Sequence, residues 1–217
     1  MTLNKNETRD LYRRRAAGYD LAVWIYRLFG FRIRHYRRVT VASLALKPGD
    51  TVVEIGCGTG LNFRYLQEAV GGEGKVIGVD LTDAMLEIAR ERIHREGWTD
   101  IDLVQSDAAQ YEFPQGVSGI FSTLAITLIP EYDAVIQNGA QALRSGGRFA
   151  VFDMKQPSNW PDWLVRLTAW LNSPFGVSLE IADRHPWESI RQHLTEVRFE
   201  EYYFGALYLS VGERANP

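Results

Sequence analysis

Val52-Val53-Glu54-Ile55-Gly56-Cys57-Gly58-Thr59-Gly60 is the stretch that decides the fold. An apolar run of strand length passes into three alternate glycines, and a helical pattern follows from about Leu61 to Val70. Glycine suits a chain that must turn sharply, or bring its backbone up to a ligand with no Cβ in the way. The helix start that follows offers free N–H groups to an anion such as a carboxylate. Twenty residues past Gly60, Asp80 closes a second apolar run, KVIGVD over 75–80. An ionised Asp has two acceptor oxygens, enough for both hydroxyls of a ribose. Ser106-Asp107-Ala108 puts another carboxylate at the end of a third run, and Met85 opens the helix after Asp80. The spacing is G-x-G-x-G, not the G-x-G-x-x-G of dinucleotide sites, which disfavours a nicotinamide-dependent oxidoreductase.

Outward from this loop, short apolar runs alternate with helical patterns. The runs are TVVEI (51–55), KVIGVD (75–80), IDLVQSD (101–107), GVSGIFST (116–123) and RFAVFD (148–153), with helices near 61–70, 83–96 and 131–143. Strand, helix, strand repeated this way predicts an α/β fold, a parallel sheet with helices on both faces. The closing runs VRFEEYYFG and ALYLSVGE meet around Gly205 as a hairpin, so at least one runs antiparallel. Lys47-Pro48-Gly49-Asp50 reads as a turn that divides a helical arm or cap, 1–48, from the main domain, 49–217. In the arm, Leu21, Trp24, Ile25, Leu28 and Phe29 make one apolar stripe, and Ile33, Tyr36 and Val39 begin a second. The segment 154–185 reads as an inserted helical lid, with Trp160, Trp163, Leu164, Leu167, Trp170 and Leu171 on one face.

With 46% hydrophobic and 24% charged residues, the 217-residue chain is a globular domain with enough length for a core. Cys57 is the single cysteine, which excludes an internal disulfide. No apolar run approaches the roughly 18 residues of a membrane span. The opening MTLNKNETRD has no apolar signal core, so the expected setting is cytoplasmic. Charge is split: residues 1–48 carry eleven Lys or Arg against three Asp or Glu, the remainder thirteen against twenty-four. The same 48 residues hold seven aromatics. That mixture predicts contact with an anionic membrane surface through residues 9–38 and 160–171, peripheral on the inner face. A solvated basic face and a hydrophobic lid are the alternatives.

EIGCGTG, GVDLTDAML, QSDAAQYEFP and SGGRFAVFD, between about residues 50 and 155, resemble the motifs of class I S-adenosylmethionine-dependent methyltransferases. The layout Tyr12-Arg13 to Tyr19-Asp20, then GTGLNF (58–63), is similar to the branch of bacterial phosphatidylethanolamine N-methyltransferases and ubiquinone/menaquinone C-methyltransferases. The resemblance implies a Rossmann-like, seven-stranded, mostly parallel sheet with its last strand antiparallel. It implies S-adenosylmethionine as cofactor and S-adenosylhomocysteine as product. Glu54, Gly56, Gly58 and Gly60 would surround the methionine part, and Asp80 and Leu81 would hold the ribose. Met85 would pack on adenine, Asp107 and Ala108 would bind its edge, and Thr123 would lie under the sulfonium. Tyr19, paired with Asp20, would cover the ligand. One departure is the start of the fourth strand, Gly116-Val117-Ser118-Gly119, where the family usually has Asp after an aromatic.

On the acceptor side, Ser122-Thr123-Leu124-Ala125-Ile126 stands where base-modifying enzymes carry an Asn- or Asp-Pro-Pro-Tyr clamp. DNA base methylation is therefore disfavoured, and no nucleic-acid partner is expected. Asp153 at the end of the fifth strand, His185 after the lid and Tyr203 near the last bend are the catalytic candidates. No metal site is expected. The leading expectation is methyl transfer to a lipid-like acceptor, first of all a phospholipid amine headgroup. A quinone precursor or a soluble metabolite is the alternative, and a cofactor-binding module without turnover is the reading from another class.

Overall fold

The computed structural model describes residues 5–28, 32–157, 160–161, 163, 165–167 and 183–216. Two helices, α1 (Lys5–Leu28) and α2 (Ile33–Ser43), precede β1 (Thr51–Ile55). Then follow α3 (Phe63–Val70), β2 (Lys75–Asp80), α4 (Asp83–Glu96), β3 (Ile101–Gln105) and β4 (Val117–Thr123). A short 3-10 turn (Ile126–Leu128) leads to α5 (Tyr132–Ala142) and the long β5 (Leu143–Met154). The chain closes with α6 (Pro186–His193), β6 (Thr195–Tyr202) and β7 (Leu207–Glu213).

The seven strands form one sheet in the order β3-β2-β1-β4-β5-β7-β6, the first five parallel and β7 antiparallel to both neighbours. This is the expected Rossmann-like sheet. Strand order reverses between β1 and β4, which pair directly. In an open α/β sheet a ligand crevice forms outside the strand ends at such a switch point.

Both faces of the sheet are covered, so successive residues of one strand enter different cores. Val53, Ile55, Phe149, Val151 and Tyr208 pack with α5 and α6 residues Val135, Ile136 and Ile190. Val52, Ala150, Phe152, Leu209 and Val211 pack on the other face with Phe63, Leu66, Leu86 and α2 residues Ile33 and Val41. Period-two alternation with both sets buried is what makes these strands continuous apolar runs. The arm's second helix thus shares a core with the sheet.

Of the two stripes expected in the arm, the second, Ile33, Tyr36 and Val39, packs against the sheet as expected; of the first, only the Leu21 side chain is described. Leu21 is 61% exposed, and the side chains of 22–31 lie outside the described residues. Among the described residues the inward stripe of α1 is Arg9, Tyr12, Ala16 and Tyr19, at i, i+3, i+7 and i+10. Most of the expected lid also lies outside the described residues, Leu164, Trp170 and Leu171 included. Within it, Trp163 and Leu167 are exposed.

Candidate active site

β1 delivers the chain to a loop in which Gly56, Gly58 and Gly60 all have positive φ, at 67°, 54° and 75°. L side chains rarely adopt that backbone. A Cβ on Gly56 would stand 2.3 Å from the Ala125 Cβ, and one on Gly60 would enter the Phe63 ring. A Cβ on Gly58 would meet nothing within 4 Å. It would project from the wall of the cleft that Gly58 lines. The bare backbone at 58 therefore keeps a space open, whereas 56 and 60 serve packing.

Asp80 holds the loop from the end of β2. Its Oδ2 accepts the Gly58 N–H at 2.8 Å and its Oδ1 the Thr82 N–H at 2.8 Å. Burial raises its carboxyl above the ordinary range, and these backbone donors oppose the rise. Leu81 and Met85 line the cleft beside it, and Ala108 and Asp107 line it from the end of β3. Asp107 Oδ1 accepts the Ala109 N–H at 3.0 Å, which fixes the carboxylate's turn.

One side of the cleft is closed by α1, through Arg9, Tyr12 and Tyr19. The two tyrosine rings lie 6.2 Å apart, and burial raises both phenol pKa values. A clamp ties this helix to the glycine loop. Thr59 Oγ1 donates to Asp20 Oδ1 at 2.7 Å, and Arg92 of α4 donates to Asp20 Oδ2 at 2.5 Å and to the Thr59 carbonyl at 2.8 Å. An Arg13–Asp83 ion pair adds a second tie between α1 and α4.

Behind the loop lies a buried polar network that the sequence reading missed. Arg37 Nη1 donates to Asn62 Oδ1 at 2.7 Å and to Thr123 Oγ1 at 3.3 Å. Asn62 Nδ2 donates to Thr123 Oγ1 at 2.9 Å and to Glu54 Oε1 at 2.5 Å. Among the described residues Glu54 Oε2 is buried with no partner. Complete burial pushes the Glu54 pKa to about 8, so it is mostly protonated at neutral pH. Of the four, Thr123 reaches the cleft. Arg37 could have been found: with Ile33, Thr40 and Val41 it completes an i, i+4, i+7, i+8 face.

Tyr19, Gly56, Gly58, Asp80, Leu81, Met85, Asp107, Ala108 and Thr123 thus line one cleft, with Glu54 and Gly60 in the layer behind. The three catalytic candidates do not line it. Asp153 is fully buried, and its Oδ2 accepts the Ala125 and Thr127 N–H groups, each at 3.1 Å. It holds the turn whose Leu124 and Ala125 form the cleft wall, and burial pushes its pKa to about 6. His185 precedes α6, its ring 4.8 Å from that of Trp187 and its Nδ1 3.4 Å from Glu188. Tyr203 Oη accepts the Arg32 N–H at 3.1 Å, and its ring lies against Tyr36, so it fastens the arm to the sheet. Asp153 and Tyr203 are thus engaged as acceptors of backbone N–H groups, and His185 sits at a helix start.

Residues 52–147 match the family model described as a methyltransferase domain. Over that segment the chain is similar to methyltransferase domains. The match runs from β1 into β5 and takes in the glycine loop, Asp80, Asp107 and Thr123. An arsenite methyltransferase of Halobacterium salinarum is 31% identical over 56% of this chain and 31% of its own length. A demethylmenaquinone methyltransferase of Listeria welshimeri is 29% identical over 59% of this chain and 54% of its own. The matched part thus spans about half the length of these relatives, or less. A methyltransferase structure from Aquifex aeolicus, described as SAM dependent, shares the fold. It has a TM-score of 0.59 at 20% identity, over 82% of this chain and 89% of that one.

Proposed function

We propose that this chain moves a methyl group from S-adenosylmethionine to a lipid-like acceptor, in the first place the amine headgroup of a phospholipid. The residues of the cleft fit the cofactor. Each Asp80 oxygen already takes one backbone N–H and has lone-pair capacity for a ribose hydroxyl. Gly58 leaves room at the loop, Met85 offers a polarisable flank for adenine, and Tyr19 closes the far side. Bound there, S-adenosylmethionine supplies a methyl group already activated on a sulfonium. The protein's own work is then to align the acceptor and exclude water.

The observation that carries the amine reading is the make-up of the cleft. Among the described residues its lining has no His, Glu or Lys, and its titratable groups are Arg9, Tyr12, Tyr19, Asp80 and Asp107. An acceptor that needs a strong base, such as an alcohol or a ring carbon, is poorly served by that set. A neutral amine attacks with its own lone pair and sheds a proton to water afterwards. Exposed Leu21, Trp163 and Leu167, with the basic arm, support an acceptor held at a lipid surface.

Methylation of a quinone precursor is the second reading, favoured by what the Listeria relative is named for. Arsenic chemistry is a poor fit, since soft trivalent arsenic is held by thiols and this chain's one cysteine is buried. Incubation with methyl-labelled S-adenosylmethionine and a total cell extract, followed by phase partition, tests the proposal. Label in the organic phase on an amine-containing lipid is the expected result. Label confined to the aqueous phase rejects the lipid acceptor.

A further inference from the structure

α2 and α3 face each other across a surface groove lined by Arg34, His35, Arg38, Arg64, Tyr65 and Glu68. Three guanidinium groups meet a single carboxylate there. Glu68 is already 3.6 Å from Arg64, the residue one turn before it. Arg34 and Arg38 are exposed and have no ion-pair partner among the described residues. Arg64 also lies over the Tyr65 ring, 5.4 Å from its centre.

The charge runs against local helix electrostatics. A helix start carries partial positive charge and favours Asp or Glu in its first turn. Neither α2 nor α3 has an acidic residue there. Arg34 and His35 occupy the first turn of α2, and Arg64 that of α3. Cations stacked on two positive helix ends repel one another in the absence of an anion, and together they form an oxyanion receptor.

We infer that the α2–α3 groove is a binding site for a phosphate group, held by Arg34, Arg38 and Arg64. The site stands apart from the methyl-transfer cleft, and its test needs no turnover. It does, however, bear on the cleft. Arg37, between Arg34 and Arg38, reaches Asn62 and Thr123, so the helix that grips the phosphate also braces the cleft wall. The phosphate is either that of a lipid headgroup or that of a soluble phosphorylated compound; a guanidinium fork suits both.

The full chain is titrated with inorganic phosphate by calorimetry, and floated with vesicles of phosphatidylcholine alone or mixed with phosphatidylglycerol. Binding to phosphate alone assigns a soluble ligand, binding to the anionic vesicles assigns a headgroup, and either supports the site. In the supporting case, Arg34→Glu/Arg38→Glu weakens the interaction about tenfold or more. Arg90→Glu/Arg95→Glu, the same charge change on α4, leaves it unchanged. Arg64→Gln, a milder variant, gives a smaller loss. S-adenosylmethionine affinity is read on the same samples, so a folding defect or failure of the cofactor reading registers separately. The site is overturned if the wild-type chain binds neither probe, or if the two double variants bind alike.

Discussion

Arg37 of α2 and Asn62, at the turn before α3, meet through a 2.7 Å hydrogen bond inside the protein, with Arg37 5% exposed. The arm and the glycine loop are therefore joined by a buried cation. Arg37→Met removes two donors and leaves the Asn62 oxygen without a partner. We expect a loss of about 2 to 4 kcal/mol. That corresponds to a fall in Tm of roughly 4–16 °C for a chain of this size. Arg34→Met, at an exposed position, moves Tm by no more than about 2 °C. Thermal unfolding of the two variants side by side checks this.

Glu54 gives the protein a pH dependence of definite sign. Its folded pKa of about 8 lies above the ordinary glutamate value of 4.5. Between those values the folded state holds a proton that the unfolded state releases, so stability falls as pH rises. Asp153, at about 6 against 3.8, acts in the same direction at lower pH. Denaturant unfolding should show stability declining from pH 5 to pH 8 by on the order of a few kcal/mol. Glu54→Gln should flatten the upper part of that slope. A slope unchanged by the substitution contradicts the assignment.

Gly58 and Gly146 separate backbone strain from site geometry. Both have positive φ, 54° and 70°, and at both a new Cβ meets nothing within 4 Å. Alanine at either should cost about 1 kcal/mol of stability. Only Gly58→Ala puts a methyl group into the cleft, so only that variant should lose cofactor affinity, by about tenfold or more.

The Asp20 clamp makes a dynamic prediction. Asp20 joins α1 to Thr59 and Arg92 at a partly exposed position, so its contribution to global stability is small. In Asp20→Ala, amide hydrogen exchange over residues 5–28 should quicken while exchange in β1 and β4 stays as it was. Cofactor release should speed up with it. Unaltered protection of α1 would show that the clamp does not hold the helix.

The sequence was legible where a feature depends on local spacing. The five parallel strands, the loop at Gly56, Gly58 and Gly60, and the carboxylate of Asp80 each sit in a run whose period and turn residues announce it. Partnerships between distant segments were not legible. Asp153 reads as a residue at the ligand edge, yet it sits behind the cleft wall, and its Oδ2 is taken by N–H groups 26 and 28 residues earlier. Tyr203 is likewise engaged by Arg32, 171 residues away. The arm shows a different limit. Arg34, Arg37 and Arg38 look like one basic cluster, but only Arg37 falls on the face set by Ile33, Thr40 and Val41. Counting charge conceals that difference, and counting helical positions reveals it.

In the proposed function, Asp80 and the glycine loop hold S-adenosylmethionine. The most direct test is calorimetric titration of the wild-type chain, Asp80→Asn and Asp80→Ala with S-adenosylmethionine and with S-adenosylhomocysteine. Two hydroxyl bonds to a buried carboxylate put the expected loss for Asp80→Ala at about a hundredfold or more, with Asp80→Asn in between. Wild-type binding with affinity undiminished in Asp80→Ala, or no binding by the wild-type chain at all, would contradict the account.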